Sequence, residues 1–307
     1  MGRRRGTAIA GALLALLAIA GCGLGPGGSL EAARLTVTHD YGHDVVLERS
    51  LGDLTEADNV MRALERSADI TTRYSGRFVQ SIDGVEGTEE GGRHLDWLFY
   101  VNGIESNVGA ADFPLHGGEA IWWDYRDWTS ALHIPAVVGS WPQPLLGGYE
   151  GKRHPVAVEC RGGGSSCAEV RERLHEAGVD VAAGLPDGTI RVLVGPWSRV
   201  GHDPAAGQID AGVQESGVFA EFARRGGGLE LVGLDEAGQP AREFGRDAGL
   251  VAATRRYEAP PVWVVTGATA AGVRAATSLL DSNDLRDHYA VATEGGKETP
   301  LPLEGTR

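Results

Sequence analysis

Three cysteines, two histidines and a run of tryptophans are the side chains whose types and spacing suggest chemistry. Cys160 and Cys167 flank a flexible Arg-Gly-Gly-Gly-Ser-Ser stretch, and their spacing is not Cys-x-x-Cys, so a structural disulfide is expected rather than a redox or metal pair. A ring that small contributes about 2–3 kcal/mol if unstrained. His39 and His43 stand among Asp40, Tyr41 and Asp44 and could approach one metal ion. The two flank the Tyr41-Gly42 turn and do not stand one helical turn apart on a helix face, so solvated turn residues are the reading and no metal site or cofactor is assigned. Five of the seven tryptophans, Trp97, Trp122, Trp123, Trp128 and Trp141, crowd into positions 97–141. Period-two alternation on the strand after residue 119 puts Ile121, Trp123 and Tyr125 on one face and Trp122 and Asp124 on the other. Trp97 and Trp123 read as core. Trp122 and Trp128, beside Asp124 and Asp127, suit a stacking surface better than a core.

The first residues carry a different chemistry. Arg3, Arg4 and Arg5 precede an uncharged Ala/Leu-rich run at residues 7–21, the layout of a secretory signal and too short for a comfortable membrane span. The run ends in Ile19-Ala20-Gly21-Cys22, which resembles the bacterial lipobox, where a peptidase cuts before a cysteine whose thiol has been diacylglycerated. Several acyl chains on Cys22 make a stable anchor where one chain is marginal. The expected plan is a signal peptide (1–21), a lipidated cysteine with a flexible tether (22–32) and a folded body on the extracytoplasmic side of a cell membrane.

The formal charge is −14 before removal of the three leader arginines. That excludes nucleic acid and anionic headgroups as favoured partners. Lys152 and Lys297 are the only lysines among 28 basic residues, which we read as codon bias. Enzyme signatures are thin: there is no Gly-x-Ser-x-Gly elbow, no His-Glu-x-x-His and no paired-cysteine zinc pattern. Thr266-Gly267-Ala268-Thr269-Ala270-Ala271-Gly272 lacks both the dinucleotide-loop spacing and a Walker lysine, and reads as a tight strand-to-helix turn. The chain is expected not to be an enzyme.

Two α+β bodies are expected to position these groups. In the first, residues 33–128, Leu35 and Val37 alternate on one strand and Val45 and Leu47 on the next. A helix with Thr55 as N-cap and an Ala57, Val60, Met61, Leu64 and Ala68 face follows. Phe78, Val79 and Ile82 make a short strand, and Asn102-Gly103 after an aromatic strand predicts a type I′ hairpin. The sum is a β-grasp-like sheet curled over one helix. Residues 129–150, with Pro135, Pro142 and Pro144, read as an extended linker that packs along a domain. From 151 to 295 a second α/β or α+β domain follows: β-rich runs meet glycine at Gly162, Gly195 and Gly267, and residues 229–234 and 241–244 form a hairpin. Residues 296–307 read as a tail.

Three blocks in the first body carry a resemblance: Asp96-Trp97-Leu98-Phe99-Tyr100-Val101-Asn102-Gly103, then Asn107-Val108-Gly109-Ala110-Ala111-Asp112-Phe113-Pro114-Leu115, then Gly117-Gly118-Glu119-Ala120-Ile121-Trp122-Trp123-Asp124-Tyr125. Together they resemble the bacterial transcobalamin C-terminal-like domains, the domain of unknown function 4430. The resemblance implies capture of a corrinoid such as cobalamin for uptake, with a membrane transporter or an α-barrel protein as partner. It implies further that Trp122 and Trp128 stack on the ligand, with Tyr100, Asn102, Asn107 and Asp112 around its amide fringe. The chain has no stretch long enough for the α barrel of the animal relatives, so half of that clamp is missing. A cell-envelope docking or adhesion module without a small ligand is the alternative.

Overall fold

The computed structural model describes Gly2 and residues 27–305. The signal run, the lipobox, Cys22 and the start of the tether lie outside the described residues. Among the described residues no helix is long and apolar enough to cross a membrane.

Alternating apolar residues build the first body. Its strands are β1 (Ala33–His39), β2 (Asp44–Leu51), β3 (Ile70–Arg73), β4 (Phe78–Ile82), β5 (Val85–Glu86), β6 (Thr88–Glu90), β7 (Arg93–Val101), β8 (Ile104–Glu105) and β9 (Ala120–Asp127). The main sheet runs β2-β1-β9-β7-β6, with β8 on β7 and the parallel β1–β9 pair inside it. Hairpin, helix and a return strand parallel to the first give the β-grasp plan. Asn102 and Gly103 both have positive φ (54° and 73°), as the type I′ turn requires.

The helix α1 (Val60–Glu65) starts later than the sequence suggests. Asn59, not Thr55, is its N-cap, accepting from the Arg62 amide at 2.8 Å. Thr55 spends its amide and hydroxyl on Asp58 one turn earlier. Only Val60, Met61, Ala63 and Leu64 of the helix are buried, and they share one cluster with Leu35, Val37, Ile121 and Trp123. The body also begins before residue 33: Leu30 donates its amide to Leu54 (2.8 Å) and Gly28 accepts from Glu56 (3.1 Å).

The second body carries β10 (Val156–Cys160), α2 (Ser166–Glu176), β11 (Ile190–Pro196), the single turns α3 (Trp197–Val200) and α4 (Val213–Ser216), β12 (Ala220–Arg225), β13 (Gly228–Leu234), β14 (Pro240–Glu243), β15 (Gly249–Thr254), β16 (Val262–Gly267), α5 (Ala270–Ser278), α6 (Ser282–Leu285), β17 (Ala290–Glu294) and β18 (Lys297–Leu301). Its sheet is β10-β11-β16-β15-β17-β18, parallel among the first three strands and antiparallel beyond. The fold is therefore α+β throughout. One sequence expectation changes here. The stretch read as a tail forms β18, with Leu301 buried, because Gly295 and Gly296 (φ 62° and 78°) turn the chain back onto β17. Gly267, Gly249 and Gly272 pack where any Cβ would strike backbone, so the glycine-rich turn serves close helix–sheet packing. Cys160 and Cys167 form a disulfide with a Cα–Cα distance of 5.9 Å.

The two bodies share a core. Tyr41, Tyr100 and Trp122 of the first lie in one apolar cluster with Ile134 and Val137 of the connecting segment and with Phe219 and Tyr289 of the second. The connecting segment is buried: Ala131, Ile134, Val137, Val138 and Trp141 are all at most 5% exposed. At Gly42 (φ 86°) the first body comes so close to the second that a Cβ would fall on the Asp287 carbonyl oxygen.

Candidate functional site

The two faces of β9 have opposite fates. Thr38, Trp122, Asp124 and Arg126 face the second body. Trp122 sits edge-on to Tyr289 at 5.1 Å and donates its indole N–H to Thr38 Oγ1 at 2.8 Å. Asp124, fully buried, accepts from Thr38 Oγ1 (2.5 Å), Tyr289 Oη (2.9 Å) and the Tyr41 and Gly42 amides (3.0 and 3.2 Å). Burial holds its carboxyl above the usual range, against the hydrogen bonds from Thr38 and Tyr289 that pull the other way. Arg126, also fully buried, donates to the Ala131 carbonyl at 2.8 Å and lies 4.0 Å from Glu105. These groups join the bodies and leave no stacking surface.

Three of the sequence-derived ligand residues are thereby withdrawn from that role. Trp122 is 2% exposed and Tyr100 fully buried in the shared core. Asn102 is spent on the Gly148 carbonyl (2.8 Å) and the Ala120 amide (2.9 Å). The sequence could not show that a second body covers this face.

The other face packs into the apolar cluster with α1, leaving Phe99 and Tyr125 partly exposed. β6 pairs with β7 up to Leu95 and β8 pairs from Tyr100, so residues 96–99 have β9 on one side and, among the described residues, no strand on the other. An open groove of about 200 Å³ lies here, between Phe78 of β4, the Trp97, Leu98 and Phe99 stretch of β7, Trp123 and the loop at Ser106 and Gly109. Phe99 stacks on Trp123 at 4.8 Å and 29°, and Phe113 meets Phe99 edge-on at 6.3 Å. The indole N–H of Trp123 is buried without an acceptor among the described residues, a cost of about 1–3 kcal/mol for a polar group in a dry site. Trp97, by contrast, donates to the Val85 carbonyl at 2.8 Å.

Exposed apolar side chains surround the groove. Phe78 is 41% and Val108 45% exposed, and Tyr74 at the β3–β4 tip packs edge-on against Phe78 at 6.3 Å. The loop beside the groove is fixed at its far end by the helix, whose Val60 and Met61 amides donate to the Phe113 and Ala110 carbonyls. Asn107 and Asp112 are exposed on this loop. Asp112 pairs with Arg77 at 2.7 Å, tying the loop to the β3–β4 hairpin. Neither of these two expected ligand residues lines the groove; Asp112 is connected to it only through Arg77. Trp128 lies in a separate cleft, stacked on His94. The groove residues missed by sequence reasoning are Phe78 and Phe99, while Trp123, read as core, is 3% exposed in the apolar cluster. Alternation placed Trp123 correctly beside Ile121.

A cleft of about 850 Å³ at the junction of the two bodies is larger and strongly acidic, with Asp40, Asp44, Asp127, Asp235 and Glu236 on its walls. Arg93 crosses it, bonding Asp127 at 2.7 Å and Glu236 at 3.2 Å. His43 turns to the Pro302 carbonyl (3.2 Å) while His39 packs on Trp97 and Tyr125. Among the described residues no three His, Cys, Asp or Glu side chains converge to hold a metal ion.

Residues 57–127 match the family described as a domain of unknown function (DUF4430), a span from the approach to α1 to the last residue of β9. No curated protein matches the chain. Among solved structures, the chain is similar to a protein of Ruminococcus gnavus proposed to bind metal, at 19% identity over 32% of this chain and 97% of that one, with a TM-score of 0.25.

Proposed function

We propose that this protein is an extracytoplasmic, lipid-anchored binding protein without catalytic activity, whose ligand enters the groove between Phe78, Phe99 and Trp123. The observation that carries the reading is an open aromatic groove in which exposed Phe78 and half-buried Phe99 present ring surface, with Phe99 stacked on the buried Trp123. A flat apolar group stacks on such a surface. The groove, at about 200 Å³, is smaller than the roughly 300–1,000 Å³ of sites that enclose a whole ligand. It grips part of a larger molecule and leaves the rest to a partner.

The ligand class we put first is a corrinoid, captured for a membrane transporter, as the resemblance implies; an α-barrel partner would supply the missing half of the clamp. The exposed ring of Tyr74, Phe78 and Val108 around the groove favours a second reading, docking of an envelope protein on the same surface. Titration of the lipid-free mature protein with cobalamin and cobinamide, followed by tryptophan quenching corrected for ligand absorbance, separates the two. Saturable binding is expected. Phe99→Ala should weaken it by about 1–3 kcal/mol, roughly 5- to 150-fold. No saturable binding of either corrinoid, alone or with a co-encoded partner, would leave the docking reading.

Anchoring rests on Ile19-Ala20-Gly21-Cys22 behind a short apolar run. Cys22→Ala should abolish acyl labelling and move the protein out of the detergent phase. Equal labelling of variant and native chain would remove the anchor from the proposal.

A further inference from the structure

Six of the seven tryptophans belong to the three apolar clusters of the molecule, and Trp128 belongs to none. It is half-buried, its one aromatic neighbour is His94, stacked at 4.7 Å and 27°, and its amide donates to the His94 carbonyl at 2.9 Å. The pair forms one wall of an open cleft of about 270 Å³ on the other side of Phe78 from the groove described above. Opposite stand Arg73, Gln80, Glu86, Thr88, Glu89 and Asp96. Arg73 holds Glu86 at 2.7 Å and Gln80 also donates to it, so these groups are ordered before any ligand arrives. His94 Nδ1 is buried and makes no hydrogen bond among the described residues, although a Glu89 oxygen lies 3.3 Å away.

An indole that packs into no core, beside carboxylates, an amide, a hydroxyl and a guanidinium, presents one apolar plane and a rim of mixed donors and acceptors. Three carboxylates disfavour an anion, and Arg73 disfavours a simple cation. A pyranose ring matches both features. Its C–H face covers the indole, while its hydroxyls donate to Glu86, Glu89 and Asp96 and accept from Gln80 and Arg73. We infer that the Trp128–His94 cleft is a carbohydrate site that holds one sugar unit of a glycan chain. The cleft is open, so neighbouring units can run out along the surface. A protein held at a membrane would thereby be retained on an envelope glycan, independently of any ligand in the Phe99–Trp123 groove.

The test uses the lipid-free mature chain and four probes: chitotriose, cellotriose, maltotriose and mannotriose, titrated to millimolar concentration while the tryptophan indole N–H resonances are followed by NMR. At least one trisaccharide should shift the Trp128 resonance saturably. Trp128→Ala and Gln80→Ala should each weaken that sugar by about tenfold or more without changing the melting temperature, because both side chains lie outside the apolar clusters. Phe99→Ala should leave the sugar affinity unchanged. The inference falls if no probe shifts the Trp128 resonance, or if Trp128→Ala binds the sugar as tightly as the native chain. Neither outcome bears on corrinoid titration, which reads the other groove.

Discussion

Asp124→Ala should destabilise the protein by several kcal/mol, since each donor left unsatisfied in a dry site costs about 1–3 kcal/mol, a large part of the roughly 5–15 kcal/mol that holds a typical domain folded. The side chain is completely buried and receives four hydrogen bonds, from Thr38, Tyr41, Gly42 and Tyr289. Removing it leaves four donors without their acceptor in a region from which water is excluded, and opens a void against Trp122. Tyr289 comes from the second body, 165 positions away, so the loss should appear as weakened attachment of the bodies as well as a lower midpoint. Urea unfolding followed by tryptophan emission measures it. Asp124→Asn should rescue only part of the loss, because an amide retains one acceptor but turns an N–H₂ toward other donors. A change below about 1 kcal/mol for Asp124→Ala would show that apolar contact alone joins the bodies.

The neighbouring pair Asp287 and His288 should give two opposed pH dependences that substitution separates. Burial, reinforced by Glu48 and Asp124 and opposed by Arg34 and Arg286, pushes the Asp287 carboxyl up to about 6. Between about pH 4 and 6 the folded chain keeps a proton that the unfolded chain has lost, so this contribution falls as pH rises and is gone above 6. Burial, with His43 nearby, pushes the His288 imidazole down to about 4. Between about pH 4 and 6.5 the unfolded chain binds the extra proton, so this contribution is full above 6.5 and falls as pH drops toward 4. Each shift corresponds to about 3 kcal/mol at 1.36 kcal/mol per unit, and in the native chain they largely offset each other. Relative to it, Asp287→Asn should gain stability as pH rises from 4 to 6, and His288→Gln should gain stability as pH falls from 6.5 to 4. Chemical denaturation at half-unit pH steps reads both differences. Differences flat with pH in both variants would place these groups in water rather than in the junction.

Much of the local structure was legible in the residues. The β1–β2 hairpin, the Asn102-Gly103 turn, the β13–β14 hairpin and the three strand-to-glycine junctions follow from period-two alternation and from turn residues that tolerate positive φ. The disulfide followed from two cysteines separated by a glycine-rich ring. The helix start did not, because Thr55 and Asn59 both precede apolar positions and either side chain can cap; the fit of Val60 and Met61 against the 110–113 loop decided for Asn59. β18 was hidden because Gly295-Gly296, a type I′ signal as good as Asn102-Gly103, was read as the end of a domain.

The candidate site divides in the same way. By itself the sequence determined that Trp122 and Trp123 point to opposite faces of β9, since successive side chains on a strand must alternate, and it gathered the aromatic residues into one body. Which face opens to solvent was a tertiary decision. Trp122 vanished beneath Tyr289, which is brought in by a sheet that begins at residue 156, while on the other face Phe99 and Tyr125 stay partly exposed beside the buried Trp123. Alternation is a local property of the backbone; exposure depends on which distant residues arrive to cover each face, and that depends on how two sheets far apart in the chain pack together.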